Sequence, residues 1–326
     1  MRIQGMTARP VIFCFSGQGA QYRHMARDLL TEDGVFRAWM EEGEALVRER
    51  FGFSVLAEIH DPDMPPGAPF DRLEATHPAL FMVQYAAAKA MMARGLHPDL
   101  MLGVSLGEFV AMALSGVIGF EEALTRIARQ PALLHESCAR GGLISVLAGD
   151  GLWHDDAYLS EHSHLAGRGS GQNCVLAAAH EAIDPVCAHL AALGVTAASL
   201  PVPYGFHSPL IDPAAPACRA MFAEITPRRG AIPCLSACFG DVLDPNAPDL
   251  LWRIVRDRMD VVRVCCAAQL AEGADYVDLS PSGALAALIR QNTAPGPARR
   301  IAITLSPMGG NAGRFDAVAR RFGRSG

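Results

Sequence analysis

The sequence is poor in charge and carries no excess of positive charge. Asp, Glu, Lys and Arg make up 19% of its 326 residues, and the formal net charge is −6. A mildly acidic chain without a basic stripe excludes nucleic acid as its main partner. A long uninterrupted apolar run is also missing. The stretch between residues 100 and 120 is broken by Glu108 and four glycines, which excludes a membrane span. The apolar run near the start, VIFCF, is shorter than the core of a secretion signal, so a cytoplasmic location is expected, with Met1 or Met6 as the start. There is no CxxC pair and no Cys/His quartet at zinc spacing. Nine cysteines, an odd number, are scattered along the chain, and His162 and His164 form an isolated HxH. The thiols therefore read as reduced core residues, and no metal is expected.

What the chain does have is apolar bulk. Half of it is hydrophobic, enough for one large domain, or a domain with a smaller insert, around a sizeable core. VIFCF reads as a buried strand ended by the turn-forming run SGQG. A helix is expected over Val35 to Arg50, a proline-rich loop over residues 61–69, and a long alanine-rich helix from His77 to Gly95. LMLGV is a second strand, followed without a gap by the helix SLGEFVAMAL, and another helix begins near Phe120. Strand–helix alternation of this kind implies a parallel sheet with helices on both faces. From Gly141 the texture changes to short strands (LISVLAG, CVLAAA, AASLPV) around one weak helix and one clear one, Ile183 to Leu193. A small α+β insert over residues 142–202 fits, leaving residues 1–141 and 203–326 as the larger part. The segment AGRGSGQN reads as a flexible loop. PCLSACFG, YVDLSP and IAITLS return as strands.

Three elements carry chemistry. GVSLGE, residues 103–108, has the form G-x-S-x-G between a strand and a helix, the setting of a nucleophile elbow. The turn projects the Ser105 hydroxyl outward, the flanking glycines relieve crowding, and the helix start places N–H groups beside a developing oxyanion. Taken alone, the motif also fits a tight turn with a structural serine. A serine nucleophile needs a base, and His207 in PYGFHSPLID is the sharpest candidate. No aspartate between Ser105 and His207 compels the role of a third triad member, which suggests a backbone carbonyl orienting the imidazole. SGQGAQ, residues 16–21, is a glycine-rich turn at a strand end that offers backbone N–H groups, and it lacks the Lys-Ser/Thr of a nucleotide loop.

Together these residues resemble the malonyl-CoA:acyl-carrier-protein acyltransferase family, including the acyltransferase domains of polyketide synthases. The resemblance runs in family order through FSGQGAQ, THPALFMVQYA, GVSLGE, SGVIGFEEAL, Asn173 in GQNCVLA, YGFHS and VVRV…YVDLSPSG. It implies an α/β-hydrolase-like large subdomain with a parallel sheet and a small ferredoxin-like insert. It also implies that Ser105 is acylated, that His207 is general base and acid, and that the N–H groups of Gln18 and Leu106 form the oxyanion hole. No cofactor is implied beyond the phosphopantetheine of an acyl carrier protein, the expected partner, with acyl-CoA as another donor.

The departures bear on substrate. The usual histidine before the nucleophile is Val104, and the family's TQPA reads THPA, placing His77 where glutamine stands. Twenty-five residues after Ser105, where the family has arginine, stands Gln130, followed by Pro131, which is expected to kink or restart the helix. A guanidinium grips a malonyl carboxylate through two charge-assisted bonds, and an amide cannot supply that charge. Arg126 and Arg129 fall on other helix faces. Phe206, beside His207, is expected to crowd α-branched acyl groups. With FRAWM early and DLSPSGALA late, the pattern is most similar to the discrete acyl hydrolases of trans-acyltransferase polyketide synthases. The expectation is release of non-carboxylated acyl groups from carrier-protein thioesters. Transfer of acetyl or another simple acyl group between CoA and a carrier, or a silent docking role, are the alternatives.

Overall fold

The computed structural model describes residues 9–267, 273–293 and 300–323; the two candidate starts, Met1 and Met6, lie outside them. The described strands are β1 (Val11–Phe15), β2 (Leu100–Gly103), β3 (Gly141–Val146), β4 (His164–Ser170), β5 (Asn173–Ala179), β6 (Ala197–Ser199), β7 (Cys234–Ser236), β8 (Asp241–Val242), β9 (Met259–Asp260), β10 (Asp275–Asp278) and β11 (Arg300–Ile303). The larger sheet has the order β11-β10-β1-β2-β7-β8 and is parallel except for the final β7–β8 pair. β1 lies inside it and is buried along its whole length. Its alternate side chains enter two separate cores: Val11, Phe13 and Phe15 on one face, Ile12 and Cys14 on the other. A strand covered on both faces must be apolar at every position, and VIFCF is. Each large side chain so buried contributes about 1.5–3 kcal/mol.

The second sheet has the order β6-β3-β5-β4-β9. Its first four strands pair antiparallel, and with the helices between them they follow the β-α-β-β-α-β sequence of a ferredoxin-like unit. β9 comes from the larger part of the chain and pairs in parallel with β4, Gly167 opposite Met259 and Arg168 opposite Asp260. This pairing ties the small sheet to the segment that follows Asp257.

Two expectations are corrected. AGRGSGQN is not a flexible loop, since Ala166–Ser170 belong to β4 and turn tightly into β5 at Gly171 and Gln172. Its glycines and polar residues have low strand propensity, but pairing on both sides with β5 and β9 holds the segment extended, with register shifts after Leu165 and Arg168. Nor does Pro131 restart a helix. Phe120–Ser137 is one continuous helix with Pro131 inside it, buried on the face that packs inward. Among the described residues, no helix is long and apolar enough to cross a membrane.

Candidate active site

The larger sheet places two adjacent strand ends side by side, Phe15 opposite Gly103. The carboxyl ends of parallel strands are where such sheets bind ligands. From β1 the chain enters the loop Ser16–Gly19. Gln84, buried in the helix Leu73–Ala93, fixes that loop by accepting from the Ser16 N–H (2.8 Å) and donating to the Ser16 carbonyl (3.0 Å). From β2 the chain turns at Ser105 into the helix Leu106–Ser115. Ser105 has φ 56° and ψ −124°, a conformation that costs on the order of 1–3 kcal/mol for a residue with a side chain. The close packing that holds it there requires glycine both after the turn and in the facing loop. A Cβ on Gly107 would lie 2.2 Å from the Phe15 carbonyl oxygen, and one on Gly17 would lie 2.8 Å from the Ser105 Cβ.

His207 arrives from the segment after β6. It also has positive φ, 59°, and its N–H donates to the Val255 carbonyl. Ser208 stiffens the turn by donating to the Gly205 carbonyl (2.6 Å). Ser105 Oγ and His207 Nε2 lie 2.8 Å apart, and His207 Nδ1 lies 3.0 Å from the Asp257 carbonyl oxygen. A carbonyl can only accept, so Nδ1 carries the proton, and Nε2 presents its lone pair to the Ser105 hydroxyl. Burial lowers the imidazole to about 4, with the bond to Asp257 opposing, so the ring is neutral at pH 7. The Asp257 carboxylate is turned away, accepting from Arg253 Nε at 2.7 Å. Asp257 was missed in the sequence because a main-chain acceptor leaves no side-chain signature.

Leu106 opens its helix, so its N–H has no acceptor within that helix. Glu108, two residues further along, accepts from the Cys238 N–H (3.0 Å) and is bonded to the Ser236 hydroxyl, which ties the elbow to β7. Burial pushes its carboxyl up to about 8.

Ser105, His207, Gln18, Leu106, Val104, His77, Gln130 and Phe206 all line one cavity of about 310 Å³. Within it Gln18 Nε2 lies 2.8 Å from His77 Nδ1, and His77 is also hydrogen-bonded to the Gln130 side chain. His77 is buried, and burial lowers it to about 4, so this chain of three side chains is uncharged at neutral pH. The Phe206 ring packs 5.8 Å from the His77 ring. Among the described residues, the single guanidinium in the cavity wall is that of Arg168, which is ion-paired with Asp150 (3.0 Å) and Asp260 (3.1 Å). Arg126 and Arg129 line a different surface pocket beside Arg50, and Arg126 is spent on Glu224 and the Met221 carbonyl. Arg168 was also missed, because it sits in the segment read as a loop.

The profile of the acyl transferase domain family matches residues 12–258. The chain is 36% identical over 299 residues to the polyketide biosynthesis acyltransferase homolog BaeD of Bacillus velezensis, covering 92% of each. It is 35% identical to the corresponding homolog PksD of Bacillus subtilis, covering 86% of this chain and 87% of that one. Among solved structures it superposes on the acyl transferase domain of SpnD in complex with 2-(pent-4-yn-1-yl)malonyl. The TM-score is 0.87 at 25% identity, over 98% of this chain and 77% of that one.

Proposed function

This chain belongs to the acyl transferase domain family, and we propose that it removes non-carboxylated acyl groups from acyl carrier protein thioesters of polyketide biosynthesis through an acyl-Ser105 intermediate. The observation that carries this reading is the Ser105–His207 pair, 2.8 Å apart, in a cavity where the one guanidinium among the described residues is already neutralised by two aspartates. His207 Nε2 takes the Ser105 proton as Oγ attacks the thioester carbonyl. The imidazolium keeps its Nδ1–H on the Asp257 carbonyl. The oxyanion is held by the Gln18 and Leu106 N–H groups at the positive end of the helix Leu106–Ser115. Collapse breaks the C–S bond, and the departing thiolate takes the proton from His207. A water then attacks the acyl ester, His207 again accepts the proton, and Ser105 recovers it as the free acid leaves.

Release to water rests on Val104, the absence of a free cation, and the flanking segments FRAWM and DLSPSGALA. Acyl-loaded carrier protein incubated with the enzyme is expected to yield free carrier and free acid, and an added unloaded carrier or CoA is expected to divert little of the acyl group. Intact-protein mass spectrometry reads both products. Capture of most of the acyl group by the second thiol would make the protein a transferase instead.

The lowered His207 also sets a pH profile. kcat/KM for carrier deacylation is expected to rise through about pH 4 and stay level across the neutral range, since the base is neutral everywhere above that point. An acid limb near pH 6.5 would show that the imbalance of burial over bonding at His207 is absent in solution. Both His77 and His207 stay neutral in the folded protein to about 4, while the unfolded chain takes up protons from about 6.5 downward. The contribution of these two histidines to stability therefore falls as pH decreases through that window, opposed by Glu108, whose raised carboxyl favours the folded state as pH falls, and circular dichroism at each pH separates unfolding from titration.

A further inference from the structure

Gln130 is 2% exposed and forms part of the cavity wall that holds Ser105 and His207. Its amide nitrogen is buried without a hydrogen-bond partner. With that nitrogen unpartnered, it is the amide oxygen that faces the His77 ring, which is also hydrogen-bonded to the Leu73 carbonyl. His77 is held in turn by the Gln18 amide at its Nδ1, and Gln18 Nε2 also donates to Thr76 Oγ1 at 3.2 Å. This chain fixes which way the Gln130 amide points, with its oxygen committed to protein and its N–H donors left over. Phe109, Ile127, Leu143 and Phe206 give the cavity an apolar lining; the Gln130 amide nitrogen has no acceptor there, and the Gln18 amide oxygen in the same lining is likewise buried without a partner. A buried amide N–H without an acceptor is costly, and a hydrocarbon chain lying against it leaves that cost in place.

We propose that Gln130 is a specificity-determining residue whose amide N–H reads a neutral oxygen on the acyl chain, so that the site takes hydroxyl- or keto-bearing acyl thioesters in preference to plain hydrocarbon ones of the same length. This rests on the reading of Ser105 as the acylated residue. A neutral oxygen accepts from the N–H without bringing a charge that nothing in the wall would balance. Sites built to bond a substrate oxygen discriminate against the analogue that lacks it, because the protein group is then left unpaired.

The test is a competition between butyryl- and 3-hydroxybutyryl-phosphopantetheine thioesters in one tube, with the two acyl-Ser105 adducts separated by the mass of one oxygen. The wild-type protein is expected to load the 3-hydroxybutyryl group about tenfold faster, the size of one net buried hydrogen bond. Gln130→Leu, close in volume and apolar, is expected to bring the ratio to one or below, and Gln130→Met serves if the leucine variant does not fold. A merely structural role for Gln130 would slow both substrates alike and leave the ratio unchanged. A wild-type ratio of one or less, or a ratio unaltered in the folded variant, overturns the proposal. Failure of both thioesters to load Ser105 overturns the catalytic reading along with it, whereas butyryl loading without preference removes this inference alone.

Discussion

Ser105→Ala is expected to eliminate the acyl adduct on the protein and to lower carrier deacylation by at least about 10³-fold, because it removes the hydroxyl that is hydrogen-bonded to His207 Nε2. The fold is expected to survive. Serine at the start of a helix usually caps it, and losing a cap costs about 1 kcal/mol. Ser105 makes no side-chain capping bond, so alanine forfeits only the contact with His207. The left-handed backbone at this position is equally strained for alanine, which leaves the stored strain unchanged. Mass spectrometry of the protein after exposure to an acyl thioester reads the adduct, and a thermal melt reads the fold. An adduct that persists on the folded variant would remove Ser105 from the mechanism.

The second large effect is selection by charge. Acetyl thioesters are expected to acylate Ser105 faster than malonyl thioesters by about 10²–10³-fold, the cost of burying an unpaired carboxylate being on the order of several kcal/mol. The cavity offers no remedy. Gln130 is neutral, His77 is held neutral by burial, and Arg168 is bound between Asp150 and Asp260. Gln130→Arg is expected to narrow or invert the preference by placing a planar, permanently charged donor at the same point of the wall. The helix Phe120–Ser137 passes through Pro131 unbroken, so residue 130 keeps its place beside His77. Initial rates of adduct formation with the two thioesters decide the matter. Efficient malonyl loading by the unmodified protein would refute the charge argument.

The elbow was legible in the sequence because everything that shapes it is local. A buried strand, a serine between two glycines and the start of an apolar helix lie within a dozen residues, and steric rules at that range leave the chain little choice. The same holds for β1, whose unbroken apolar run can only be a strand covered on both faces. His207 could be singled out by its setting, but not what orients it. Asp257 lies fifty residues beyond it and contributes only its main-chain oxygen, a group that every residue carries. Ser105 and His207 themselves are 102 residues apart, and their 2.8 Å separation depends on both sheets and the segment that joins them.

Other features followed only from long-range pairing. AGRGSGQN has the composition of a loop, yet Ala166–Ser170 are a strand because β5 and β9 satisfy the backbone on both sides. That pairing sets Arg168 opposite Asp260, and the ion pairs it makes there cancel a charge that composition alone would have credited to the site. The sequence by itself determined the tight turn at Ser105, the alternation that builds a parallel sheet and a neutral amide rather than a cation at position 130. Tertiary structure decided the hydrogen-bond partners of His207, the uncharged run from Gln18 through His77 to Gln130, and the neutralisation of Arg168. The first set depends on local sterics and hydrophobic period; the second depends on which distant groups the packed chain brings within about 3 Å, where hydrogen bonds and ion pairs act.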